Sequence, residues 1–134
     1  MKITRINHSA VNSHSRLAEM AHFYSEVLGT TTVKRDLPEH YDELIPGFWM
    51  QFPNGQIHVI ERNASAKASG MLGQITHTNC DPMGPHTAFY VENIDDTERH
   101  LAAQGVAYDR VAGFIFTCDP AGNTVEFQQD PDIP

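Results

Sequence analysis

Apolar positions recur along this chain with two periods, and the order of those periods occurs twice. Residues 3–11 (Ile-Thr-Arg-Ile-Asn-His-Ser-Ala-Val) suit a strand. Leu17, Met20, Ala21, Tyr24, Val27 and Leu28 then fall at helical spacing, with Ser13 or Ser15 placed to cap the N-terminus and Gly29 to end the helix. Residues 30–34 are β-prone, and a polar loop holding Pro38 and Pro46 follows. Residues 48–52 and 56–61 flank Pro53-Asn54-Gly55, which predicts a β-hairpin because Asn-Gly favours tight turns. The order is β-α-β-β-β.

Residues 63–84 break the pattern with small residues, Gly and Pro, and read as a linker of loop character. A connection this long in a compact domain often serves as a lid. The pattern then restarts. Residues 86–91 read as a strand, and Asn93 or Asp95 caps a helix over 97–104 that Gly105 ends. Strands over 106–108, 113–118 and 124–128 complete a second β-α-β-β-β, with the turn Asp119-Pro120-Ala121-Gly122-Asn123 between the last two. The chain is therefore one domain, 1–134, made of two modules at about 1–62 and 85–130.

Laid over one another, the halves put His8-Ser9-Ala10-Val11 on His86-Thr87-Ala88-Phe89 and, with a one-residue gap, His58 on Glu126. Strand side chains alternate between faces. In each of these strands the face opposite the candidate ligand is the more apolar one: Thr87, Phe89 and Val91 oppose His86, Val125 and Phe127 oppose Glu126, Ile57 and Val59 oppose His58, and Val11 opposes His8. A helix must cover the apolar face. His8, His58, His86 and Glu126 are thus expected on the opposite, concave side, where one cation could share them. Glu61 has the opposite parity to His58 and reads as a surface charge.

Composition narrows the function. The 134 residues carry 9 Lys+Arg against 17 Asp+Glu, a net charge of −8, which repels phosphate backbones and argues against nucleic acid. No apolar run is long enough to span a bilayer, and the N-terminus lacks the features of a signal peptide, so a cytoplasmic setting is expected. Cys80 and Cys118 have no CxxC spacing and read as reduced thiols. Histidine, with 8 copies, is unusually abundant. His14, His22, His40 and His100 read as solvated. His77 in the linker reads the same way, or else as an acid close to the metal ligands. Met50 and Tyr90 are candidates to line the cavity and bind substrate, although plain packing explains either. The run 48–50 reads as core.

These stretches resemble the vicinal-oxygen-chelate superfamily, which includes glyoxalase I, bleomycin-resistance, methylmalonyl-CoA epimerase, fosfomycin-resistance and extradiol-dioxygenase proteins. The resemblance is carried by Ile6-Asn7-His8, Phe23-Tyr24-Ser25-Glu26-Val27-Leu28-Gly29, residues 55–61, residues 84–91 and Asp119-Pro120-Ala121-Gly122-Asn123-Thr124-Val125-Glu126-Phe127. It implies an α+β fold of two βαβββ modules forming an open, cup-like barrel, usually completed by homodimerisation. It also implies metal ligands on the first and fourth strands of each module, here His8, His58, His86 and Glu126. The position of His58 is often Glu or Gln in the family.

Three imidazoles and a carboxylate suit Zn, Fe, Mn, Co or Ni better than Ca or Mg. Such an ion acts as a Lewis acid on a small substrate with adjacent oxygens, or binds O₂ beside it. Glu126, the ligand carboxylate, is the candidate base. The leading expectation is a divalent-metal-dependent, glyoxalase-like lyase or isomerase. The alternatives are an Fe(II) ring-cleaving dioxygenase and a non-catalytic protein that sequesters a drug-like molecule. Thiol transfer to fosfomycin is disfavoured, because a phosphonate needs clustered Lys and Arg.

Overall fold

The computed structural model describes residues 1–38, 41–62 and 73–134. Module one contributes β1 (Ile3–Asn12), a short helix α1 (Leu17–His22) running into a π-helical turn (Phe23–Val27), β2 (Thr31–Val33), the single turn α2 (Tyr41–Leu44), β3 (Gly47–Phe52) and β4 (Gly55–Ile60). Module two contributes β5 (His86–Val91), α3 (Ile94–Ala103), β6 (Tyr108–Val111), β7 (Phe114–Cys118) and β8 (Thr124–Gln129). The duplicated βαβββ order expected from the sequence is present, and its two halves form one open mixed sheet ordered β2-β3-β4-β1-β5-β8-β7-β6.

The pairings repeat the internal symmetry. Within each module the first strand runs parallel to the fourth, with Ala10 opposite His58 in one and Ala88 opposite Glu126 in the other. The modules join through antiparallel β1 and β5, where His8 faces Ala88, Ser9 faces Thr87 and Ala10 faces His86. Exchanging the halves leaves that register unchanged, so a pseudo-two-fold axis passes between Ser9 and Thr87. His8 and His86 flank it.

The face opposite the cup is apolar and, in module two, a helix covers it. Val91, Ile94, Leu101, Ile115 and Phe127 form one buried cluster, with Phe89, Tyr108 and Val125 packed against it. Asn93 caps α3 by accepting the backbone N–H of Asp96 at 2.9 Å. Asp95 does not cap; it lies inside the first turn. Module one is built differently. Neither α1 nor its π-helical extension buries a residue, and Phe23, Val27 and Leu28 are exposed. Ser13 and Ser15 do not cap α1, contrary to expectation. Ser13 is tied to β4 through its N–H to the Ile60 carbonyl (2.9 Å), Ser15 takes a left-handed φ of 65°, and Arg16 begins the helix with no side-chain cap. Gly29 and Gly105 do end their helices in left-handed conformations, at φ 68° and 69°.

Two other boundaries differ from the sequence reading. The strand expected over 106–108 begins at Tyr108 and reaches Val111, because the Val106 N–H turns back to the Leu101 carbonyl (3.0 Å) and closes α3. In the first hairpin Phe52 pairs with Gly55, so the turn residues are Pro53 and Asn54 alone, and Gly55, expected in the turn, opens β4. Residues 63–72 of the expected linker lie outside the described residues, as does His40. The remainder of the linker is anchored. Asp109, buried on β6, accepts the backbone N–H groups of Thr76, His77 and Thr78, the Thr78 hydroxyl and His77 Nδ1, at 2.6–3.0 Å. Further along, the Asn12 amide donates to the Met83 carbonyl at 2.9 Å, which sets this segment against the open end of β1.

Candidate metal centre

Parity and the central β1–β5 register carry His8, His86 and Glu126 to one spot on the floor of the cup. Their donor atoms form a near-equilateral triangle. His8 Nε2 and His86 Nε2 are 3.1 Å apart, and each lies 3.2 Å from Glu126 Oε2. All three residues are buried. Among the described residues this is the one group of three His, Cys, Asp or Glu side chains whose ligand atoms lie within 4.8 Å of one another.

The triangle needs a proton or a cation at its centre. His86 Nδ1 donates to the Gly84 carbonyl at 2.9 Å, which leaves Nε2 of the neutral ring as a bare lone pair. That lone pair faces a carboxylate oxygen and a second imidazole nitrogen. Only a proton or a shared cation relieves the repulsion. Burial opposes charge on His86, yet the Glu126 carboxylate outweighs burial and raises its pKa. Burial likewise opposes ionisation of Glu126, but hydrogen bonds from His8 and His86, made when Nε2 of either ring carries a proton, hold its carboxyl well below the usual range. The spacing fits a transition-metal ion. With metal–donor bonds of about 2.1 Å, donors sit about 3.0 Å apart at right angles and about 3.4 Å apart at the tetrahedral angle, and the observed separations of 3.1 and 3.2 Å fall between.

Of the residues singled out in the sequence, the structure brings these three together and leaves His58 beside them. The His58 ring stacks on His8 at a centroid distance of 3.7 Å and on Trp49 at 3.9 Å. Its Nε2 faces Gln56 Oε1 at 2.8 Å. Burial, and next the proximity of His8, push its pKa down to about 2. Tyr90 lines the cup, backed by the Arg5 guanidinium 4.5 Å above its ring. Met50 does not line the cup. It pairs with Ile57, points to the opposite face and is fully buried in the core. Its neighbour Trp49, across from His58, is the residue of that run on the cavity wall. His77 also lies elsewhere, exposed and held by Asp109. Glu61 is half-buried rather than a surface charge, with Oε2 unpartnered among the described residues.

Sequence reasoning missed Trp49, Gln128 and Asp109. A two-residue turn after β3 makes odd-numbered residues of β3 face even-numbered residues of β4, which would have selected Trp49. Gln128 shares the face of Glu126 and donates to its Oε1 at 3.1 Å, so the carboxylate reaches the triangle through Oε2 alone. The cup encloses about 290 Å³, with Ile60, Met83, Phe114 and Phe116 among its apolar lining. Its capacity suits a small molecule.

A cup of two βαβββ modules, with two imidazoles and one carboxylate converging on its floor, defines a class of duplicated open-sheet scaffolds with metal-competent centres. The chain belongs to the Glyoxalase/Bleomycin resistance protein/Dioxygenase superfamily, whose family profile matches residues 5–127. No curated protein matches it. Among solved structures it is similar to methylmalonyl-CoA epimerase from Mycobacterium tuberculosis, at 20% identity over 95% of this chain and 88% of that one, with a TM-score of 0.64. The 2,3-dioxygenase LapB from Pseudomonas sp. KL28 is similar at 18% identity over 97% of this chain and 42% of that one, also with a TM-score of 0.64. A superfamily member from Vibrio splendidus 12B01 shares 12% identity over 94% and 98% of the two chains, with a TM-score of 0.56. At these identities the likeness is one of fold. Among the described residues no helix is long and apolar enough to cross a membrane.

Proposed function

We propose that this protein is a divalent-metal-dependent enzyme that takes a small substrate with two adjacent oxygens into the cup, as a glyoxalase-like lyase or isomerase. The observation carrying this reading is the triangle of His8 Nε2, His86 Nε2 and Glu126 Oε2, with sides of 3.1–3.2 Å. Those residues would hold the ion, and the donor set suits Zn, Fe, Mn, Co or Ni. Once bound, the metal supplies Lewis acidity toward the substrate oxygens.

The chain's own residues do the remaining work. Trp49, Ile60, Phe114 and Phe116 exclude water around the substrate. Burial raises the pKa of the Tyr90 phenol, so Tyr90 keeps its proton at neutral pH and can offer it as a hydrogen bond to a substrate oxygen in the cup. Glu126 is ionised. Its Oε1 lies outside the triangle and, among the described residues, accepts only the Gln128 amide, and it is the atom that would take a proton from a substrate carbon. Exposed Phe23, Val27 and Leu28 on module one fit a homodimer contact.

A specific observation supports a second reading, the Fe(II) ring-cleaving dioxygenase. Two imidazoles and one carboxylate on one face are the donor set of non-haem Fe(II) oxygenases. The aromatic wall of the cup suits a planar diol. The experiment is elemental analysis of protein purified without chelator. It is followed by reconstitution with each metal and assay against α-hydroxycarbonyl substrates, with oxygen uptake on catechols under Fe(II). Metal retained at one per chain and lost in His86→Ala is expected. Protein that holds no metal, and whose unfolding temperature ignores both metal and EDTA, would leave a non-catalytic binder in its place.

A further inference from the structure

We infer that His58 is a positioning residue: it holds the ring of His8 by stacking and leaves the metal to His8, His86 and Glu126. This rests on the reading of that triangle as the metal site. Three observations carry it. The first concerns the nitrogen of His58 that reaches furthest. Nε2 lies 2.8 Å from Gln56 Oε1, an oxygen that can only accept, so Nε2 bears a proton and is not a free lone pair. The Gln56 amide is itself fixed, donating to Gln51 Oε1 at 2.7 Å, and the Gln51 amide donates in turn to the Phe52 carbonyl at 2.8 Å.

The second is the geometry of the rings. His58 and His8 lie face to face, with centroids 3.7 Å apart and planes 18° from parallel. Imidazole lone pairs lie in the ring plane. Lone pairs of two nearly parallel rings run side by side, so they do not meet at an ion about 2.1 Å from each. His8 and His86 are 76° from parallel, an arrangement that does let two in-plane lone pairs converge.

The third is what His8 lacks. A metal-binding histidine is ordinarily oriented by a hydrogen bond from its other ring nitrogen. His86 has one, to the Gly84 carbonyl. His8 Nδ1 is buried and has no partner among the described residues. The stack stands in for the missing bond. Trp49 closes its far side, 3.9 Å from His58 and 1° from parallel, so the His58 ring is clamped between a fixed indole and the ligand it supports.

The test is Co(II) titration of metal-free protein, read by visible absorption and calorimetry. His58→Ala removes the stack and should weaken Co(II) binding by about 10- to 100-fold, the usual loss when an outer support is removed. His58→Phe restores a flat ring that cannot ligate, and should return affinity to within about threefold of wild type with the same Co(II) spectrum. Trp49→Leu leaves both nitrogens of His58 intact and should weaken binding in the same direction. If His58→Phe binds as poorly as His58→Ala, or Trp49→Leu binds as well as wild type, His58 is not acting through the stack. Failure of the underlying reading looks different: His86→Ala and Glu126→Gln would then bind Co(II) as wild type does.

Discussion

Replacing Asp109 by Asn separates the anchored part of the linker from the sheet, and the structure sets the size of the effect. Asp109 sits on β6 with its side chain 1% exposed. Burial alone would push its pKa up, but hydrogen bonds from the Thr78 hydroxyl, the backbone N–H groups of Thr76 and His77, and the His77 ring outweigh burial and lower it from 3.8 to about 2. At 1.36 kcal/mol per pH unit, that difference corresponds to about 2 kcal/mol of folding free energy from the ionised carboxylate. Because the folded value lies below the unfolded one, the contribution is complete well above pH 3.8 and is lost as pH falls toward 2. An Asn side chain resembles the protonated acid. Asp109→Asn should therefore cost about 2 kcal/mol at pH 7, and the gap between variant and wild type should shrink to roughly half by pH 3. Urea unfolding followed by the fluorescence of Trp49, the single tryptophan, reads both numbers. A gap that stays constant between pH 7 and pH 3 would refute the linkage. A gap near zero at pH 7 would show that the Asp109 cluster does not hold the linker.

A side chain at Gly47 would run into the Val59 carbonyl within the β3–β4 pair, so Gly47→Ala should cost about 1–3 kcal/mol in thermal unfolding; an unchanged melting temperature contradicts the close approach. Burial is the main cause that pushes the Cys80 thiol up to about 12, and iodoacetamide at pH 8 should label Cys118 well before Cys80, as peptide mass spectrometry would show. Equal labelling of the native protein would overturn that assignment. If Phe23 and Val27 form a subunit contact, light scattering gives a dimer for wild type and a monomer for Val27→Lys. A wild-type monomer removes the contact.

Much of the architecture is written in local patterns. The duplication shows in matched motifs, because each module must bury one apolar face and uses the same alternation to do so. Parity in the strands from His86 and Thr124 put Phe89, Val91 and Phe127 under a helix, and they lie in the buried cluster with Ile94 and Leu101 of α3. Asn93 caps its helix for a reason confined to three residues. Where local preference and tertiary demand disagreed, tertiary demand won: Ser13, a good cap by composition, is pinned to β4 instead.

The sequence by itself determined the repeat, the faces of the strands and a short set of metal-competent side chains. What it did not contain was the distance between them. His8 and His86 are 78 residues apart, and only the β1–β5 pairing centred on Ser9 and Thr87 brings their nitrogens to 3.1 Å. Equivalent positions in the repeat did not imply equivalent geometry, since His58 turns its ring flat against His8 while Glu126 points an oxygen inward. Alternation tells which way a side chain leaves its strand. Where its last atom stops depends on rotamers and neighbours drawn from several strands, and those exist only in the folded sheet.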